Sequence, residues 1–398
     1  MNKRLICKIT CFATAICLSS SLFAANPQPT VPPSPQVLLS PPSLQAKAYV
    51  LMDANTGTIL AEKNANKKLP PASLTKMMTL YLASNALKNG QINLDDKVRI
   101  SHKARSQTGS RMFVREGSLV PVKDLLQGII VASGNDSCVA MAQYIAGSEK
   151  TFATMMNQTA AALGMKDSHF VDSTGLPNKQ HYSTAHDLAL LAQGLVNNFP
   201  EHYGWYKQKW FTWNKIKQNN RNRLLWRDKS VDGLKTGHTD SAGFCLVASA
   251  KRDDVRLVSV LLGAPNDLAR ASESEALLNY GFRFFTTKKL FSANQSIADP
   301  HVWLGTKNKI KLGLNQDLYV TVPKGQYKNL KATMQLAASN LQAPITQGEA
   351  YGAVNISLNG KPIASAPLVA LENDPQGSFF SRVGDHMMMF FSNLVHKA

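Results

Sequence analysis

Apolar positions along the chain change their period more than once. Two short β-like runs, 48–52 and 58–61, flank Asn55-Thr56-Gly57, which predicts a strand, a turn and a second strand. The period then becomes helical, with Leu74, Met77, Met78, Tyr81 and Leu82 following the Pro70-Pro71 pair, a suitable helix start. Further helices are expected over 122–131, 137–146, 150–163 and 184–196. Two β-like runs, 244–250 and 255–262, are joined by Lys251-Arg252-Asp253-Asp254 and predict an antiparallel hairpin. Strands at both ends with helices between them imply an antiparallel sheet beside a helical cluster, a mixed α/β fold of the α+β type.

After about residue 289 the texture changes. Runs at 318–322, 332–336, 353–358 and 368–371 are spaced by Gly, Pro and Asn, so a small all-β domain is expected over 289–375. The final segment, 376–398, returns to a helical period. Phe380, Val383, Met387, Phe390 or Phe391 and Leu394 fall on one face, with Arg382, Asp385, His386 and Asn393 elsewhere. Polar groups interrupt it too often for a membrane span. Its wide apolar face instead predicts an amphipathic helix lying on a membrane surface, the alternative being a helix packed on its own domain.

The first residues bear on the same question. Lys3, Arg4 and Lys8 precede an apolar stretch from Ile9 to Phe23 and then Ala24-Ala25, the layout of a secretory signal over 1–25. That stretch is shorter than the roughly 20 residues of a spanning helix and is broken by Thr10, Thr14 and Ser19 to Ser21. Export is therefore expected, with the Pro-rich 26–44 as an extended tether and 45–288 as the main folded domain.

Composition narrows the partners. With 44% hydrophobic and 18% charged residues the 398-residue chain is globular, with room for two or three domains. A formal charge of +18 fits nucleic acid, an anionic lipid surface or an acidic polymer. Export and the lack of a basic-aromatic or helix-turn-helix signature argue against nucleic acid. Of five cysteines, Cys7, Cys11 and Cys17 lie in the signal, leaving Cys138 and Cys245, too few for a disulfide framework or a zinc site. No cofactor and no metal is implied.

Three short motifs occur in order: Ser73-Leu74-Thr75-Lys76, Ser133-Gly134-Asn135 and Lys235-Thr236-Gly237. The first two patterns each arise roughly once or twice by chance in a chain of this length, whereas K-T-G arises about 0.1 times. Ser73 at a helix start is placed for stabilised negative charge, and Lys76, one turn on, shares its face. A lysine serves as a base when burial and a second cation lower its pKa, and Lys235 is the candidate cation. The plainer reading is a helix cap and a solvated lysine. In the second motif Ser133 can pass a proton to a leaving amine, and the Asn135 amide can orient Lys76 and a substrate backbone; the plainer reading is an N-cap. Lys235 and Thr236 offer a cation and a hydroxyl to a carboxylate. Their strand should be an edge strand that can pair with an extended peptide, Gly237 removing a side chain that would obstruct the approach.

On these residues the chain resembles the penicillin-recognising serine acyltransferases, which carry the three motifs in this order. More narrowly it resembles the D-alanyl-D-alanine carboxypeptidases of the low-molecular-mass penicillin-binding proteins. The likeness extends to Pro71 through Thr79, to Ser133-Gly134-Asn135-Asp136 with Cys138-Val139-Ala140-Met141, to Val231 through Thr239, and to the β domain and tail. It implies that Ser73 attacks the carbonyl between two terminal D-alanines of a peptidoglycan stem peptide, with Lys76 as base and Ser133 as proton donor. The backbone N–H groups of Ser73 and His238 would form the oxyanion hole, and Thr236 with Arg221 would hold the terminal carboxylate, completing a substrate-binding set of Asn135, Arg221, Lys235, Thr236, Gly237 and His238. β-Lactams would acylate the same serine. The resemblance also implies a role in peptidoglycan maturation and cell shape, and a periplasmic place on the outer face of the inner membrane. Thr174, in Asp172-Ser173-Thr174-Gly175-Leu176, stands where some relatives have histidine and is expected to lie off the catalytic set.

Rival readings differ in what they need. A class A β-lactamase needs a glutamate between the second and third motifs, where only Glu149 and Glu201 occur, neither in a matching context. A non-catalytic envelope-binding module leaves the ordered motifs unexplained. An endopeptidase shares the motifs and stays open at this point. Cys138 is expected to be a buried small hydrophobe.

Overall fold

A computed structural model describes residues 40–395. The expected signal over 1–25 and most of the tether over 26–44 lie outside the described residues, as do the side chains of Phe390, Phe391, Asn393 and Leu394. The chain divides into two compact units, Ser40–Thr286 and a second beginning at Thr287.

In the first unit, strands β1 (Ala48–Asp53) and β2 (Ile59–Lys63) lead to helix α1 (Lys76–Lys88). Helices α2 (Val122–Gln127), α3 (Asn135–Ala146), α4 (Glu149–Ala162) and α5 (Ala185–Asn198) follow. The chain then returns to the sheet through β3 (Val231–Thr239), β4 (Gly243–Arg252) and β5 (Val255–Ala264), and ends in helix α6 (Asp267–Phe284). The sheet is antiparallel in the order β2-β1-β5-β4-β3, with Ala48 opposite Leu262, so the two ends of the unit do meet in one sheet. Alternation along the strands explains its burial on both faces. Val50, Met52, Val247, Val258 and Val260 join the core under the helical cluster, while Leu51, Leu246, Ala248, Leu257 and Leu261 pack beneath α6. Side-chain caps start three of the helices: Ser148, Thr184 and Asn266 each accept the backbone N–H three residues on.

The second unit holds an antiparallel five-stranded sheet, in the order Ser296–Ala298, Leu312–Gly313, Lys361–Ala370, Ala350–Leu358, Leu330–Leu336. Its core includes Val302, Ile310, Leu312, Val354, Ile356 and Leu368. The mixed α/β fold with a separate β unit is the fold expected from the sequence. A helix, Phe379–Val395, closes the chain. Its polar side faces its own unit: Asp385 accepts the Leu304 N–H at 2.6 Å and Arg382 donates to Gln376 at 3.2 Å. Among its described apolar side chains, Phe380 is 85% exposed and Met387 59%.

Three local features depart from the expectation. Ser73 lies in a 3-10 turn, Ala72–Thr75, and α1 begins only at Lys76. The helix expected over 122–131 is α-helical only to Gln127 and widens into a π turn, Gly128–Ala132, that delivers Ser133 in a left-handed conformation (φ 58°, ψ 36°). Gly128, at the start of this turn, packs against the Met112 side chain, which a β-carbon there would have to displace. Helix α6 was not legible in the hydrophobic pattern, since its buried side includes Arg270, Glu273 and Ser274.

Candidate active site

The 3-10 turn and the first turn of α1 set Ser73 and Lys76 side by side. The Lys76 amine, fully buried, lies 2.9 Å from Ser73 Oγ and donates to the Thr174 carbonyl at 2.7 Å. Thr174 is therefore in direct contact with the candidate base through its backbone, which corrects the expectation that this position lies off the catalytic set. The expectation attended to the side chain, and the contact is made by the carbonyl.

The second motif is held by Asp136. Its carboxylate accepts the backbone N–H groups of Met112, Phe113 and Val114 at 2.8–3.2 Å, fastening the 110–114 segment to the loop. Asn135 makes no hydrogen bond to Lys76 in this structure. Its amide donates to the Thr108 carbonyl at 2.6 Å, and Thr174 takes the orienting part. Ser133 Oγ is buried and has no hydrogen-bond partner.

Strand β3, at the sheet edge as expected, carries the third motif. Lys235 is 3% exposed and donates to the Thr236 carbonyl at 3.0 Å. Gly237 also lies close against the turn that carries Ser73. A β-carbon there would lie 3.0 Å from the Pro71 carbonyl and 3.3 Å from Ala72 and Leu74, so its lack of a side chain admits the nucleophile's own turn. The Gly237 carbonyl accepts from Arg270 at 3.2 Å. The exposed His238 ring packs against Phe244, 4.1 Å between centroids. Arg221 reaches across to Ser110 Oγ at 2.7 Å, and the adjacent Asn222 amide ties its loop to β3 through the Gly233 carbonyl at 2.9 Å.

These groups share one electrostatic environment. Burial, the larger cause, lowers the pKa of Lys76, and Arg221 adds to it, while Asp172 and Asp136 oppose it. Burial likewise takes Lys235 well below the usual lysine range, with Lys76 and Arg221 as the next causes. The direction is the one a general base needs, since a lowered pKa makes the neutral amine easier to reach. Cys138 is buried and its thiol is pushed up to about 12, which makes it inert, in keeping with a small hydrophobe. Among the described residues no group of three or more His, Cys, Asp or Glu could hold a metal ion.

Sequence reasoning missed Asp172, His181 and Arg270. Only Asp172 carried a usable signal, because Asp-x-x-Gly is a turn pattern in which the carboxylate caps its own backbone.

Comparison with known proteins identifies the family. The family profile described as D-alanyl-D-alanine carboxypeptidase matches residues 36–266, and that of the penicillin-binding protein 5 C-terminal domain matches 285–376. The D-alanyl-D-alanine carboxypeptidase DacC of Escherichia coli is 46% identical over 357 residues, covering 88% of this chain and 89% of that protein. DacA of Haemophilus influenzae is 41% identical over 387 residues, covering 96% and 98%. The crystal structure of penicillin-binding protein 5 from Haemophilus influenzae superposes with a TM-score of 0.80 at 43% identity, covering 85% of this chain and 99% of that one. Penicillin-binding protein D2 from Listeria monocytogenes, in its ampicillin-bound form, superposes with a TM-score of 0.57 at 31% identity, covering 61% and 99%. The chain belongs to the serine-type D-alanyl-D-alanine carboxypeptidase family of the penicillin-binding proteins.

Proposed function

We propose that this protein removes the terminal D-alanine from peptidoglycan stem pentapeptides through an acyl-enzyme on Ser73. The observation that carries the reading is the 2.9 Å contact between Ser73 Oγ and a buried Lys76 amine of lowered pKa. Lys76 takes the Ser73 proton as Oγ attacks the penultimate D-alanine carbonyl, and the N–H groups of Ser73 and His238 receive the oxyanion. Such donors contribute about 3–4 kcal/mol each in related acyl transfers. As the C–N bond breaks, Ser133 gives its hydroxyl proton to the departing amine and regains one from the Lys76 ammonium; water, losing a proton to Lys76, then attacks the ester, and that proton returns to Ser73 Oγ as it leaves. Thr236, Arg221 and Lys235 bind the terminal carboxylate, Asn135 lines the cleft with its amide, and the open edge of β3 at Gly237 and His238 pairs with the extended peptide. β-Lactams, as acyl donors of the same shape, acylate Ser73.

The test joins D-alanine release from a pentapeptide ending in D-Ala-D-Ala with intact-mass analysis after incubation with penicillin. Release of D-alanine and one adduct on the peptide bearing Ser73 are expected. Penicillin turnover without peptide cleavage, or an adduct elsewhere, overturns the reading.

The same reading places the protein outside the cytoplasm, with 1–25 as a removed signal, 26–44 as a tether, 45–288 as the catalytic domain and 289–375 as the β domain. The closing helix attaches it to the outer face of the inner membrane. Support comes from the orientation of that helix, whose polar side bonds its own unit while Phe379, Phe380, Met387 and Met388 stay exposed. Among the described residues no helix is long and apolar enough to cross a membrane. Removal of 376–398 is expected to abolish sedimentation with anionic lipid vesicles while leaving pentapeptide cleavage within about twofold of the full chain. Unchanged sedimentation of the truncated protein counts against the attachment.

A further inference from the structure

We propose that Asp172, acting with His181, is a positioning residue of this site, shaping the turn whose Thr174 carbonyl holds the Lys76 amine beside Ser73. The two carboxylate oxygens have separate tasks. Oδ1 accepts from the Thr174 N–H, the Thr174 hydroxyl and the Gly175 N–H, each at 2.7 Å. Three bonds to one oxygen fix the orientation of the Thr174 peptide and therefore of its carbonyl. Oδ2 faces His181 Nδ1 at 3.4 Å, and the far nitrogen of that ring, Nε2, is 2.9 Å from Thr75 Oγ1. Thr75 sits in the turn between Ser73 and Lys76. One carboxylate thus braces both the acceptor of the base and the backbone that carries the nucleophile.

The neighbourhood is buried and well bonded. His181 is 3% exposed and meets the Phe170 ring edge-on at 5.6 Å, while Thr79 Oγ1 donates to the Ser173 carbonyl at 2.7 Å and Glu149 accepts from Ser173 Oγ at 3.0 Å. A neutral amine has two N–H groups and one lone pair. With one N–H spent on Thr174, rotation about the Cε–Nζ bond is restricted and the lone pair can be kept toward the Ser73 hydroxyl. The charge matters as well. The charged groups around Lys76 are Asp172 from this loop, Asp136 from α3, and Arg221 and Lys235 from and before β3, with the Cys138 thiol neutral. Burial alone would raise the Asp172 pKa, but hydrogen bonds from His181 and Thr174 outweigh it and keep the carboxylate ionised. An ionised Asp172 holds the Lys76 pKa higher than it would otherwise be.

Because the inference rests on Ser73 as nucleophile and Lys76 as base, its test starts from a wild-type protein that forms the Ser73 adduct. Acylation by penicillin is followed by quench and intact mass across pH for the wild type, Asp172→Ala and Asp172→Asn, with His181→Gln as a further variant and thermal melting as a fold check. Asp172→Ala is expected to acylate about 100-fold more slowly, with the effect in the rate constant rather than in apparent penicillin affinity. Asp172→Asn keeps an oxygen for the turn but loses the charge. It is expected to recover much of the rate, with its acid limb moved to lower pH. A purely structural role would lower the melting temperature without moving that limb. The inference is overturned if folded Asp172→Ala acylates at the wild-type rate, or if Asp172→Asn and His181→Gln leave both rate and pH profile unchanged. Should Asp172→Ala fail to fold, those two variants decide it. A wild type with no Ser73 adduct instead removes the underlying mechanism.

Discussion

Replacing Ser73 with Ala is expected to abolish the penicillin adduct and D-alanine release, whereas Lys76→Met is expected to slow both by about 10²–10⁴-fold without weakening the fold. The first variant removes the atom that forms the new bond. The second keeps that atom and removes only its base, so slow acylation survives but loses the rise with pH that follows deprotonation of Lys76. The stability sign follows from the lowered pKa of the buried amine. An unfolded chain, with an ordinary lysine, binds more protons than the folded one between the two pKa values, so folded stability rises with pH in that window. At neutral pH the buried lysine therefore costs stability. Met, of similar length and apolar, is expected to match or raise the melting temperature. A Lys76→Met protein that acylates at the wild-type rate would remove Lys76 from the mechanism; one that melts far below the wild type would contradict the account of burial.

The second large effect is expected at Gly175, for a reason outside the motifs. Gly175 has φ +83°, and a β-carbon there would run into the Ala72 carbonyl and the Thr75 hydroxyl. A left-handed alanine costs about 1–2 kcal/mol and overpacking about 1–3 kcal/mol more, so Gly175→Ala should destabilise the first unit by roughly 3 kcal/mol. For a unit of this size that is a fall of roughly 6–12 °C in melting temperature. Activity should fall further than the loss of folded protein explains, because the two backbones that would separate carry Thr174 and Ser73. Calorimetry beside acylation per folded molecule measures both, and a melting temperature within about 2 °C of the wild type would refute the close-approach argument.

How much was legible in the sequence depended on which part of each residue does the work. Ser73, Lys76 and Lys235 act through side chains of uncommon combination, and their order along the chain pointed to one site. The sheet and helical cluster were legible because alternation and helical period reflect burial directly. Thr174 was misjudged because its backbone carbonyl, a group every residue has, makes the contact with Lys76. At Gly237 the sequence announces a close approach without saying that the turn carrying Ser73 is one of the neighbours. Helix α6 escaped notice because Arg270, Glu273 and Ser274 interrupt its buried face. The π turn before Ser133 interrupts a run whose apolar spacing is helical throughout, so the period alone did not show it.

The conformation of Ser133 carries a consequence for how this protein bears heat. A non-glycine residue in the left-handed region, Ser133, belongs by its motif to the same candidate site as two buried lysines, Lys76 and Lys235. Each feature is a local loss that the surrounding sheet and helices must offset. Thermal tolerance and turnover are therefore opposed at these few positions. Variants selected for survival at higher temperature should accumulate substitutions there when activity is not demanded, and should spare them when it is.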